Sequence, residues 1–380
     1  MKVALYGDFR SPHARGWRDG LVSAGIDVLA ISSELEASDD AVRPTGLVSA
    51  ARQRYVESRG RAGNNPLQAL VEKASQIQTL HSLVQLGRGR ARRADLADAV
   101  RSFRPDLVHA LRLPYEGVTA LSSGHTVPTI VSSWGQDFVP QASSDPLLRR
   151  WLQKYLPKAA GFQHDSPADL DRALRLGLSP DAPTLYAAGN FGVDETQFHP
   201  RTSKIPGRVV YARKATSNCN YFGFIEAAIS LMKRTDATFV GVGLSRLESE
   251  VVRRFGDYDH SRLQLIDEIG LDEFAAVVRS ASVVVSPSYS DGMPVTVLGA
   301  VASGARIVAG ELPQLRDLVT AGADIELVDA TSTEAIERGI ELMLTTPGRS
   351  QSELPSPFSR RENQHRVPHF YDSVMAAHRD

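Results

Sequence analysis

Eleven short runs along the chain each contain adjacent apolar residues, where a half-exposed strand would be apolar only on every second one. They are KVALYG (2–7), IDVLAIS (26–32), DLVHAL (106–111), PTIVSSW (128–134) and TLYAAGN (184–190), then RVVYAR (208–213), ATFVGVG (237–243), LQLIDEI (263–269), SVVVSPS (282–288), ARIVAG (305–310) and DIELVDA (324–330). A strand with one face in water alternates; a strand covered on both faces does not. The runs therefore predict parallel sheets sandwiched between helices. The intervening segments agree, because YFGFIEAAISLMKR, LDEFAAVVRSA, VTVLGAVASG, LPQLRDLVTAG and TEAIERGIELML space their apolar residues as amphipathic helices do.

One stretch breaks the alternation. HPRTSKIPGR (199–208) holds two prolines and a glycine and reads as a linker. At 380 residues and 42% hydrophobic, the chain is long enough for a core on each side of it. The expected fold is α/β, two doubly wound Rossmann-like domains facing a central cleft. Their expected bounds are 1–198 and 209–355, with a C-terminal helix over 356–380 that crosses back to the first domain. Ligands of open parallel sheets bind beyond the carboxyl ends of the strands. The segments to examine are therefore YGDFRSPHARGW, SSWGQDF, YARKATSNCN and SPSYSDGMPVTV.

Composition narrows the function classes. Cys219 is the single cysteine, which excludes an intramolecular disulfide, and no Cys/His cluster has zinc spacing, so a reducing cytoplasm is the expected compartment. The start, MKVALYGDFR, enters a strand without a signal peptide's apolar core, and no run approaches the roughly 20 residues that cross a bilayer. The net charge of -1 conceals a local excess: twelve basic residues against four acids lie between Arg43 and Arg104. That segment could meet phosphate, as a peripheral contact at the inner membrane face or on a ligand, or form a solvated helix pair in a loop. Nucleic acid is disfavoured, since the run lacks interleaved aromatics and the whole chain is not basic. A GxSxG elbow and a Walker loop are both missing. Gly241-Val242-Gly243 has no third glycine and no acid downstream, which argues against a dinucleotide oxidoreductase. The DYD triplet (257–259) falls in a polar loop and reads as a chance imitation of a metal-binding motif.

With these residues in view, the chain resembles retaining GT-B glycosyltransferases of family four. PSYSDGMPVTVLGAVASGARIVAG, preceded by VVYARK and GVGL, is similar to their C-terminal half. SPHARGWRDGLVSAGIDVLAIS, FRPDLVHA, VSSWGQD and GVDETQFHP resemble N-terminal elements in the same order. The resemblance implies transfer of a hexose-type sugar from a nucleotide diphosphate sugar to an acceptor hydroxyl, with retention of configuration and no metal or other cofactor. The acceptor class stays open among small molecules, lipid-linked sugars and glycans.

Residue by residue, Arg213 matches the diphosphate-binding arginine. The turn Gly292, Met293 and Pro294 matches the donor loop, with the amides of Val295 and Thr296 opening the next helix toward phosphate, and Gly243 lines the same site. The family places two glutamates eight positions apart, the first on the sugar and the second on the ribose. Here they are Asp291, which keeps the carboxylate, and Gly299, which does not, so an active transferase that holds the ribose otherwise, a transferase with an unusual donor and a catalytically degenerate protein that binds nucleotide or sugar all stay open; restoring the acid at 299 is the change expected to supply the missing partner. The usual lysine corresponds to Asn220, with Lys214 as a substitute from another direction. On the acceptor side the resemblance points to His13, Trp17, Trp134 and Asp137, while His13 could equally cap its helix and Asp137 only fix its loop. Cys219 reads as a spectator beside the phosphate loop.

Overall fold

A computed structural model describes residues 1–34, 78–134, 145–200, 204–348 and 353–379. They divide into two compact units, residues 1–191 with 362–380, and residues 192–361.

The first unit runs β1 (Lys2–Gly7), α1 (Pro12–Ser23), β2 (Asp27–Ser32), α2 (Gln78–Phe103) and β3 (Leu107–Ala110), then a π-helical turn at 113–117 into α3 (Val118–Leu121). It continues with β4 (Thr129–Ser133), α4 (Pro146–Tyr155), β5 (Gly161–His164), α5 (Pro167–Arg175) and β6 (Thr184–Tyr186). All pairings are parallel, in the order β2-β1-β3-β4-β5-β6. Three helices begin on one local device, a capping side chain followed by proline: Ser11-Pro12, Asp145-Pro146 and Ser166-Pro167. The side-chain oxygen accepts from an amide that the helix leaves bare, and proline lacks the amide that would be bare anyway.

The second unit runs β7 (Arg208–Tyr211), α6 (Tyr221–Leu231), β8 (Thr238–Val242), α7 (Glu248–Phe255), β9 (Leu263–Ile266) and α8 (Leu271–Ser280). There follow β10 (Val283–Ser286), α9 (Val295–Ala302), β11 (Arg306–Gly310), α10 (Leu315–Thr320), β12 (Ile325–Val328) and α11 (Thr333–Thr345). Its sheet is again parallel, ordered β12-β11-β10-β7-β8-β9. The β10 residues are buried throughout, which accounts for its unbroken valines. Order reverses between β7 and β10 here, and between β1 and β3 in the first unit; loops at such a point diverge and leave a crevice.

Every predicted strand is present, and the two-sheet α/β architecture is as expected. One strand was missed. β5 is GFQH, half polar, yet buried, because Gln163 donates from Nε2 to Ala187 O at 2.7 Å and His164 Nδ1 meets Ser166 O at 2.8 Å. The unit boundaries also differ from those read in the sequence, which were 198 and 355. Residues 192–198 join the second unit because Val193 N donates to Phe358 O (2.7 Å) and Arg360 N to Val193 O (3.0 Å). The last helix, α12 (Arg360–Ala377), belongs to the first unit from Glu362 onward.

That helix is held by a buried polar chain. His109 on β3 meets Tyr371 OH through Nδ1 and Ser132 Oγ through Nε2, each at 2.7 Å, with no exposed surface. Burial pushes the His109 pKa down to about 3, from an ordinary 6.5. Between those values the unfolded chain binds a proton that the folded chain excludes, so the stability His109 confers is complete above about pH 6.5 and falls as pH drops, by up to about 1.4 kcal/mol per unit. Urea titrations from pH 7.5 to 4 are expected to show a shallower acid loss for His109→Asn than for wild type. Equal slopes would mean that His109 is not kept neutral.

Candidate functional site

In the second unit the loops after β7 and β10 are laced together. Asn220 N donates to Pro287 O (2.9 Å), Tyr289 N to Asn218 O (2.8 Å), and Asn218 Nδ2 to Ser290 O (3.0 Å). The lacing brings Arg213, two residues beyond β7, against Asp291, with Nη2 and Oδ2 2.5 Å apart and the side chains only 17% and 16% exposed. Burial raises the Asp291 pKa; the Arg213 charge pulls it back only in part, and it stays above the usual range. For Arg213, burial works against the charge, but Asp291, Cys219 and Tyr211 together more than offset it and the guanidinium is held firmly protonated. Thus a cation and an anion share a half-dry site at the switch point.

The turn that carries Asp291 is itself pinned. Gly292 N donates to Asp291 Oδ1 (3.0 Å), and Gln314 Nε2 donates to both Asp291 O (2.7 Å) and Gly292 O (2.8 Å). Met293 is buried and Pro294 caps α9 in extended conformation. Val297 and Leu298 both donate to Pro294 O, so the amides of Val295 and Thr296 precede the intrahelical ladder. Thr296 Oγ1 donates to Ala212 O (3.2 Å), which ties the first turn of α9 to the loop of Arg213. Gln314 escaped the sequence reading because it lies beyond the next strand, in an ordinary surface helix pattern.

Three of the residues expected at the donor have other partners in the structure. Asn220 caps α6 and is committed to structure, its Oδ1 accepting from Gly223 N and its Nδ2 donating to Ala330 O, each at 2.8 Å. Lys214 is directed to Glu268 after β9, in an exposed ion pair of 2.6 Å, near Gly243, whose φ of +75° closes β8. Gly299 is not open toward a nucleotide. A Cβ there would lie 3.0 Å from two carbons of the Phe198 ring, which is itself buried and set edge-on to Phe274. The glycine inside α9 is explained by close approach of that ring, and a glutamate at 299 would have to displace it.

In the first unit, His13 and Trp134 come together, ring centroids 5.4 Å apart, after β1 and β4. Trp17 does not join them. It has no exposed surface, donates from Nε1 to Gly189 O (3.1 Å) and packs edge-on to His109 and Phe191. It is a core residue, which corrects its assignment to the acceptor. Asp137 and the basic residues Arg43 to Lys73 lie outside the described residues. Of the described part of the basic run, Arg92 is buried and Arg93 stacks over Trp151 and Tyr155, so these two charges face protein.

Other groups collect where β1 and β3 diverge. Arg10 grips Asp8 through Nε (2.9 Å) and Nη2 (2.8 Å) and so lowers the Asp8 pKa against the effect of burial. Buried Glu116 accepts from Ser33 Oγ (2.8 Å), and Arg112 adopts φ +89°, a strained value for a residue with a side chain. Only their place after strands could have marked them in the sequence. Among the described residues no cluster of His, Cys, Asp and Glu could hold a metal ion, and no helix is long and apolar enough to cross a membrane.

Two family models match the chain: a glycosyl transferase 4-like domain over residues 11–187 and glycosyl transferases group 1 over 207–346. Solved structures share the fold at low identity. A sucrose-phosphate synthase from Thermosynechococcus elongatus has a TM-score of 0.64 at 14% identity, covering 99% of this chain and 96% of its own. A UDP-forming alpha,alpha-trehalose-phosphate synthase from Burkholderia xenovorans has a TM-score of 0.62 at 14% identity, covering 100% and 98%. A UDP-GlcNAc 2-epimerase from Methanocaldococcus jannaschii has a TM-score of 0.58 at 11% identity, covering 98% and 100%. None of the curated proteins matches the sequence. With one family model on each side of the linker, the chain belongs to the glycosyltransferases of GT-B fold, a 4-like domain followed by a group 1 domain.

Proposed function

We propose that the protein transfers a hexose-type sugar from a nucleotide diphosphate sugar to an acceptor hydroxyl, with retention of anomeric configuration and without a metal ion. The observation that carries this reading is the Arg213 and Asp291 pair at the switch point, beside the amides that open α9. Negative charge grows on the diphosphate as the glycosidic bond breaks. Arg213 and the amides of Val295 and Thr296 would take it, while Asp291 accepts from a hydroxyl of the donor sugar. The anomeric carbon then loses its bond to the diphosphate and gains one to the acceptor oxygen on the same face, and the acceptor's proton passes to the departing phosphate oxygen. His13 and Trp134 offer an aromatic wall for an acceptor ring. The likeness to a UDP-forming trehalose-phosphate synthase favours sugar transfer with a nucleotide donor.

A thermal-shift panel of nucleoside diphosphates and their sugars tests the donor, since a ligand at 100 times its Kd adds about 2.7 kcal/mol of stability. One donor is expected to stabilise the protein and to release its nucleoside diphosphate when acceptor extract is added. Release is expected to be undiminished by EDTA, and the product linkage to keep the donor's anomeric form by NMR. Neither a shift nor release with any donor would overturn the reading; loss of release in EDTA would overturn its metal independence.

A further inference from the structure

Asp291 and Arg213 face each other at 2.5 Å, so a diphosphate bound at Arg213 competes with Asp291 for the guanidinium. Oδ2 of Asp291 lies 2.5 Å from the guanidinium and is buried, yet among the described residues it has no well-directed hydrogen bond. Its partner atom Oδ1 accepts from Gly292 N, and Gln314 holds the carbonyls of Asp291 and Gly292, so the turn that carries the carboxylate is fixed independently of Arg213. Two anions within reach of one guanidinium in a half-dry site compete strongly, because each charge-assisted contact there is far stronger than in water.

We propose that Asp291 and the donor's diphosphate exchange at Arg213, so that arrival of the diphosphate frees the carboxylate to accept from the donor sugar. The inference rests on the donor-site reading above and adds a coupling to it. A nucleoside diphosphate without sugar displaces Asp291 and leaves a buried carboxylate without its cation. A nucleotide sugar displaces it and supplies a hydroxyl in return. The exchange thus favours the intact donor over the spent product at one site, and it makes Asp291 an antagonist of the product as well as a ligand of the substrate.

The test is isothermal calorimetry with uridine, adenosine, guanosine and thymidine diphosphates on wild type, Asp291→Asn and, as a smaller neutral side chain, Asp291→Ser. Melting curves confirm that each variant is folded. For the base that binds wild type, both variants are expected to bind the free diphosphate about tenfold more tightly, while kcat/KM with the nucleotide sugar falls. The gain is expected to vanish when Arg213→Gln is added to Asp291→Asn. Unchanged or weaker diphosphate binding in both Asp291 variants, with wild type binding normally, would overturn the exchange and leave the donor site standing. Failure of every diphosphate to bind wild type would overturn the donor site and the exchange together.

Discussion

Arg213→Ala is expected to lower kcat by at least about a hundredfold with the fold retained. The guanidinium is the cation set at the switch point of the second sheet, and it is mostly buried, so its charge is little screened there. A group that neutralises charge only as it develops acts on the transition state more than on the bound substrate, so kcat is expected to fall with kcat/KM. Removing Arg213 also leaves Asp291 without its opposing charge; its pKa, already raised by burial, would rise further and the site would lose an anion with its cation. Arg213→Lys is expected to recover part of the rate, since an ammonium keeps the charge but not the forked donors. Single-turnover release of nucleoside diphosphate, with circular dichroism as the control for folding, measures both. Near-normal turnover in Arg213→Ala would remove the residue from the site.

The largest stability effect is expected from Trp17→Ala, about 3–5 kcal/mol in the unfolding of the first unit. The indole is wholly enclosed between α1, His109 and Phe191, and its Nε1 satisfies Gly189 O. Gly20, one turn further on, shows how closely the same face is filled: a Cβ there would meet the Phe191 ring at 2.3 Å, and Phe191 itself is held at φ +71°. Neighbours so constrained cannot collapse into the space that alanine leaves. Trp17→Phe keeps most of the packing and loses the one hydrogen bond, so a cost of about 1 kcal/mol is expected, with the acceptor KM unchanged. Urea unfolding and acceptor kinetics on the two variants separate the roles. A stable Trp17→Ala with a raised acceptor KM would return Trp17 to the acceptor site.

What the sequence determined by itself is eleven of the twelve strands and the loops in which a ligand site is to be sought. Unbroken apolar runs such as VVVS require cover on both sides, so they imply parallel strands, and parallel strands put ligands at their carboxyl ends. The loops that carry Arg213 and Asp291 were legible as places to look for that reason, while the two residues were singled out within them by the family resemblance. The fate of individual side chains was not legible, because it depends on residues far away in the chain. Trp17 and Trp134 look alike locally, but Gly189 and Phe191, after β6, enclose the first. Asn220 resembled a ligand until the chain after β12 supplied Ala330 O. Gly299 took its meaning from Phe198, which the sequence assigned to the other domain and which the hydrogen bonds of Val193 with Phe358 and Arg360 place in the second unit. Periodicity reports the environment a segment needs, a local property of covalent neighbours; which atom fills the last 3 Å beside a given side chain is decided by non-local packing, and only the tertiary structure contains it.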